Sequence, residues 1–118
     1  MKTSPTARSL QWLREQGALA EKVEYWNPFS HTSKDLFGWI DIVAIMPNTL
    51  GVTGIQVTTT GHMNERIKKI LASDTYLPWV QARNSVLVMG WAKQGPRGKR
   101  KTWTLKMEWV RGNNHEPK

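Results

Sequence analysis

Two apolar, β-branched runs lie close together near the middle of the chain. Lys34-Asp-Leu-Phe-Gly-Trp-Ile-Asp41-Ile-Val-Ala-Ile45 is followed by Met46-Pro-Asn-Thr-Leu50 and then by Gly51-Val-Thr-Gly-Ile-Gln-Val-Thr58. The Pro-Asn centre of the linking stretch is turn chemistry, so the pattern predicts a β-hairpin. Strand side chains alternate between faces. That puts Trp39, Asp41, Val43 and Ile45 on one face of the first strand, and Gln56 with Thr58 on one face of the second. Asp41 opens an apolar strand, where a carboxylate is a cap, is paired, or holds a metal, because an uncompensated buried charge is costly.

The residues ahead of the hairpin predict a helix and a strand. Ser4 is a good N-cap and Pro5 suits the first helical position, giving a helix from about Pro5 to Leu19. Leu10, Leu13 and Gly17 share one side of it. Glu15 lies about 200° from Leu13 at about 100° per residue, and reads either as a solvated charge or as a site carboxylate. Lys22 to Trp26 is the expected first strand, with Val23 and Tyr25 facing one way and Glu24 and Trp26 the other. It is closed by Asn27-Pro28, since proline cannot donate to a strand ladder. Phe29 to Lys34 reads as a loop. Its His31 has no second ligand at metal-binding spacing, so no structural zinc site is expected.

Beyond the hairpin, Met63, Ile67, Ile70 and Leu71 recur at helical spacing and predict a helix from about His62 to Ala72, capped by Thr59 or Thr60. Residues 73–83 read as a short helical connection around Pro78. Ser85 to Trp91 is a continuous apolar run suited to a buried strand. Thr102 to Val110 alternates, with Trp103, Leu105, Met107 and Trp109 expected toward the core and Thr104, Lys106 and Glu108 outward. The intervening loop carries Lys93, Arg97, Lys99, Arg100 and Lys101 around two glycines and a proline. Residues 111–118 read as a polar, flexible tail. The order predicts one α/β domain over residues 1–118, an αβββαβ core with a C-terminal β-hairpin.

Composition narrows the function. With 118 residues and no cysteine, the chain supports one hydrophobic core but neither a disulfide scaffold nor a thiolate zinc site, as suits a reducing cytosol. The polar N-terminus lacks a signal-peptide h-region and no apolar run is long enough to span a bilayer. The expectation is a cytoplasmic (intracellular) protein with no membrane partner. Seventeen Lys and Arg against nine Asp and Glu leave a net charge of +8, which suits a polyanion. Arg66, Lys69 and the five loop cations are candidate nucleic-acid contacts; the plainer alternative is a solvated basic surface. Seven tryptophans are many for this length, and any left exposed suit base stacking or a partner surface.

The hairpin residues resemble a known pattern. Gly38-Trp-Ile-Asp41 followed by Gln56-Val57-Thr58 and then directly by a helix is similar to the Gly-x-x-Asp and Glu/Gln-x-Lys elements of the PD-(D/E)XK nuclease superfamily. The likeness extends over residues of about 5 to 92, and within the superfamily it is to the small Holliday-junction-resolvase-like and VRR-NUC-like members. The resemblance implies a restriction-endonuclease-like fold. It further implies Mg2+ (or Mn2+) held by Asp41, the Gln56 side chain and the Val57 carbonyl, with one more carboxylate from Glu15 or Glu24. The chain departs from the pattern at two points. Thr58 stands at the lysine position, and Gln56 is neutral where most members have glutamate. Lys34 or Lys69 would then supply the missing cation, and Asp35 the missing acid. The implied activity is a metal-dependent endonuclease on branched or duplex DNA, as a homodimer if two strands are cut symmetrically. The alternative is a catalytically inactive nucleic-acid-binding module of the same fold.

Overall fold

The structure, a computed structural model, describes residues 4–111; all of the expected tail except Arg111 lies outside the described residues. Helix α1 (Pro5–Glu15) begins where its cap predicts, with the Ser4 Oγ accepting from the Ala7 N–H at 3.1 Å. It stops four residues short of Leu19. Gly17 takes φ of +90°, a left-handed turn that costs glycine nothing, and Leu19–Lys22 becomes strand β1 instead. Leu13 is fully buried, whereas Gly17 is exposed.

The expected strand from Lys22 to Trp26 is therefore displaced. β1 ends at Lys22; the Val23 N–H still donates to the Asp41 carbonyl at 2.9 Å, and the chain then leaves the sheet. Tyr25–Asn27 (β2) pairs with Thr32–Lys34 (β3) in a separate two-stranded ribbon, so part of the expected loop is strand. All six ribbon residues are exposed, which is why hydrophobic periodicity carries no trace of it.

The run from Lys34 to Ile45 is not one strand either. Leu36 and Ile40 bridge each other through two backbone bonds of 3.0 and 2.9 Å. Phe37 (φ 55°) and Gly38 (φ 86°) close a tight loop between them. Only Ile42–Ile45 is regular, as β4. The hairpin itself forms as its turn residues predict: β4 runs antiparallel to β5 (Thr53–Thr59), with Ile42 opposite Ile55.

After β5 come a 3₁₀ turn (Thr60–His62), α2 (Met63–Leu71), α3 (Tyr76–Gln81) and β6 (Ser85–Gln94), which lies parallel to β5 with Gln56 beside Val88. Thr59 precedes the turn without a side-chain cap to it, its Oγ1 hydrogen-bonding His62 Nδ1 at 2.7 Å. β7 (Thr102–Trp109) returns antiparallel to β6. The strand order is β1-β4-β5-β6-β7, a mixed five-stranded sheet in a compact α/β domain. Among the described residues no helix is long and apolar enough to cross a membrane.

Each face of the sheet carries its own core. α1 buries Leu13 against Ala20, Ile42, Ala44, Ile55, Leu87 and Met89. On the other face Met63, Ile67 and Ile70 of α2 pack with Trp39, Ile40, Tyr76, Val86 and Val88. The apolar face of β7 is only half covered, contrary to its alternation: Trp103 is 45%, Met107 41% and Trp109 37% exposed. α1 packs mainly over β1, β4 and β5 and meets the outermost strand through Arg8, whose guanidinium lies 4.1 Å over the Trp103 ring, so most of the apolar face of β7 stays half covered.

Gly51 follows the hairpin turn at φ +72°, and a Cβ there would drive into the Arg83 backbone carbonyl. Gly51→Ala should lower the unfolding free energy by at least about 2 kcal/mol, since a left-handed alanine alone costs about 1–2 kcal/mol and the neighbouring backbone cannot yield. Denaturant unfolding checks this; an unchanged midpoint would contradict it.

Candidate metal centre

The centre is built on the loop that Trp39 holds down. Its indole is 1% exposed and donates to Thr75 Oγ1 at 2.9 Å, and that hydroxyl donates to the Phe37 carbonyl at 3.1 Å. The ring stands edge-on to Trp79 at 5.9 Å, and Trp79 in turn meets Phe37 at 6.3 Å. Gly54 makes room for this packing, because a Cβ there would lie 3.0–3.2 Å from Trp79, Trp39 and Ile40. With Leu36 paired to Ile40, the residues just outside them, Asp35 and Asp41, come side by side at the base of the loop.

Asp41 is tied to strands on both sides. Its N–H donates to the Ile55 carbonyl at 2.8 Å and its own carbonyl takes the Val23 N–H. The regular β4–β5 ladder ends at Ile42 and Ile55, so the next N–H along that edge of β5, that of Val57, has no strand partner. It donates to Asp41 Oδ2 instead, at 2.8 Å, and Gln56 Nε2 donates to the same oxygen at 3.1 Å. The Val57 carbonyl leaves on the same edge as its N–H, as in any extended strand.

Glu24 joins from the stretch where the chain departs β1. One carboxylate oxygen from each of Glu24, Asp35 and Asp41 lies within 4.8 Å of the other two. Burial pushes the Asp41 carboxyl up to about 7; a hydrogen bond with the Asp35 carboxyl and the charges of Asp35 and Glu24 add to this, while the Val57 N–H pulls the other way. Lys22 Nζ stands 3.7 Å from Glu24 Oε1, at the exposed side of the group.

Gln56 is 3% exposed, and its Oε1 is buried with no hydrogen-bond donor. Turning the amide over would aim that oxygen at Asp41, which requires either a proton on Asp41 or a cation between the two oxygens. Three carboxylates, with the Gln56 oxygen if that amide turns over, would form an all-oxygen, hard donor set, the kind that Mg2+ takes. These residues fit the ion that the resemblance implies.

The remaining expected residues fall in three places. Thr58 shares the face of Gln56, half-buried beside Gly90 of β6. Lys34 is exposed at the end of β3, one residue before Asp35; Lys69 is exposed and Arg66 half-buried on α2. Glu15 is exposed at the end of α1 and does not belong to the acidic group. Lys93 sits within β6, while Arg97, Lys99, Arg100 and Lys101 occupy the exposed connection to β7, where Lys101 Nζ donates to the Gly95 carbonyl at 2.9 Å. Because β5 and β6 are parallel, this basic arm leaves from the end of the sheet toward which Gln56 and Thr58 lead. Asp35, expected from the resemblance as the missing acid, does stand beside Asp41 in the group.

No family model, characterised protein or solved structure matches the chain, so the chemistry rests on this geometry. The geometry has a pH signature. The folded Asp41 value lies above the ordinary 3.8, so the stabilising contribution of the protonated form is complete below about pH 3.8 and is lost as pH rises through about 7. In EDTA the domain should melt at a lower temperature at pH 8 than at pH 5, Asp41→Asn should be the more stable protein at pH 8, and Mg2+ should raise the wild-type melting temperature there. Equal wild-type melting at both pH values, with no gain in the variant, would contradict the arrangement.

Proposed function

We propose that the chain is a metal-dependent DNA endonuclease with a restriction-endonuclease-like fold of the PD-(D/E)XK type. The observation that carries this reading is the gathering of Glu24, Asp35 and Asp41 around the end of the β4–β5 ladder, beside a buried Gln56 oxygen that no donor satisfies. An order of helix, three antiparallel sheet strands, helix and parallel strand accords with it.

The chain's own residues divide the work. Asp41, Asp35 and Glu24 would hold the ion, with the Val57 carbonyl and, once its amide turns over, Gln56 Oε1 as neutral oxygens, and the Val57 N–H keeps the Asp41 carboxylate in one orientation. Bound there, Mg2+ supplies a water of lowered pKa and a Lewis-acid contact to the phosphate oxygens. A neutral Gln56 is offset by Asp35 and Glu24, which bring the negative charge from flanking loops rather than from the strand. Thr58 can orient a water through its hydroxyl but carries no charge, and Lys34, next to Asp35, is the candidate for the cationic role. The arm cations with Arg66 and Lys69 contact the phosphates of branched or duplex DNA.

Incubation of duplex, single-stranded and four-way-junction DNA with Mg2+, Mn2+ or EDTA tests the activity. Cleavage should require metal, and Asp41→Ala should reduce it at least about 100-fold, more than the 10–100-fold loss usual for residues that only support a ligand. The threonine at the lysine position, Thr58, favours one other reading, a binding module without chemistry. Salt-sensitive DNA binding with no product in either metal would establish that reading and remove the nuclease. Separately, Lys99→Gln with Arg100→Gln should weaken binding and flatten the log affinity against log salt slope by about 0.9 for each phosphate that the arm no longer neutralises; an unchanged slope would exclude the arm from the interface.

A further inference from the structure

β7 is an edge strand of eight residues, its outer edge unpaired among the described residues, and that edge is unlike that of β1 on the opposite side. β1 is four residues long and carries exposed Glu21 and Lys22, the usual protection against pairing. β7 instead alternates Trp103, Leu105, Met107 and Trp109 with Thr104, Lys106 and Glu108 along a bulge-free register. The Val110 N–H donates to the Val86 carbonyl at 2.9 Å. Even-numbered residues of β7 therefore turn their backbone groups toward β6, and odd-numbered ones turn theirs outward.

We infer that β7 pairs antiparallel with β7 of a second copy of this chain, centred on Met107. In that register Met107 meets Met107, and Leu105 meets Trp109, through outward backbone groups. Each Lys106 then stands opposite Glu108 of the second copy in a non-hydrogen-bonded pair, where cross-strand side chains come closest. Sliding by two residues either way sets Lys106 against Lys106 or Glu108 against Glu108, so charge selects one register. The half-exposed Met107 and Trp109 become an unbroken apolar surface across the twofold axis. A lone mid-strand lysine would blunt the edge; a glutamate two residues on converts it into a self-complementary code.

The pairing has a geometric consequence. Gln56 is level with Val88, and Val88 with Glu108, so each metal centre lies almost level with the axis. Gln56, Val88 and Glu108 share one face of the sheet, and a twofold axis perpendicular to the sheet keeps both centres on that face. From β5 of one copy to β5 of the other there are five strand spacings, or about 24 Å at about 4.8 Å each. The two basic arms leave in opposite directions. The dimer itself is independent of the proposed activity; paired cutting of two strands rests on it.

Sedimentation across a concentration series tests the pairing. Wild type should reach twice the 13.5 kDa chain mass. Lys106→Glu and Glu108→Lys should each raise the dimer dissociation constant at least tenfold while keeping the wild-type circular dichroism, and the double exchange should restore it. The monomeric variants should keep Mg2+-dependent nicking and lose paired cuts, which separates failure of the dimer from failure of the nuclease reading. A wild type that stays monomeric, single variants that dimerise normally, or a double variant that does not recover would each overturn the inference.

Discussion

A carboxylate buried beside two others is the constraint around which this domain is arranged. Asp41 is almost wholly removed from water, yet Asp35 and Glu24 stand next to it, and among the described residues the Val57 N–H and the Gln56 amide donate to its carboxylate. An asparagine would occupy the same strand position at less cost, because like charges brought together in a low-dielectric setting repel strongly. Local machinery nevertheless holds the acids in place. The Trp39 indole bonded to Thr75, the Leu36–Ile40 bridge and the room left by Gly54 all keep the loop down. A divalent cation bound among the three carboxylates would compensate this repulsion directly, which is why the proposed metal is the natural complement of the group.

Much of the scaffold was legible in the chain, and the limits have physical reasons. Met63, Ile67 and Ile70 bury as their spacing predicts, and Ser85 to Trp91 lies in β6, the buried strand that its unbroken apolar run suggests. Periodicity failed where burial does not govern the backbone. The β2–β3 ribbon is solvent-facing throughout, and the break at Phe37 depends on a left-handed phenylalanine, for which no side-chain pattern codes. The alternation of β7 was read correctly as an apolar face but wrongly as a covered one, since coverage depends on where α1 lies.

The same division applies to the centre. Asp41 beside Gln56 follows from hairpin register, which turn chemistry and alternation already constrain. The arrival of Glu24 does not, because it depends on the chain leaving β1 at Lys22 rather than continuing to Trp26. Asp35 was anticipated as the acid that could offset a neutral Gln56, but its place beside Asp41 depends on the Leu36–Ile40 bridge, which the sequence pattern does not show. The result relocates charge: the motif strand offers a neutral amide, and loops on either side contribute acids. Sheet geometry links these parts to the rest of the surface, since the parallel alignment of β5 with β6 sends the basic arm out from the end toward which the motif strand runs.

The most direct test of this account is a carboxyl-detected NMR titration of Asp41 with and without Mg2+. The metal-free carboxyl should titrate near 7, and saturating Mg2+ should drive its titration well below the ordinary aspartate range, with shifts at Asp35, Glu24 and the Gln56 amide. An Asp41 titration that Mg2+ leaves unmoved would show that the three carboxylates do not hold the ion.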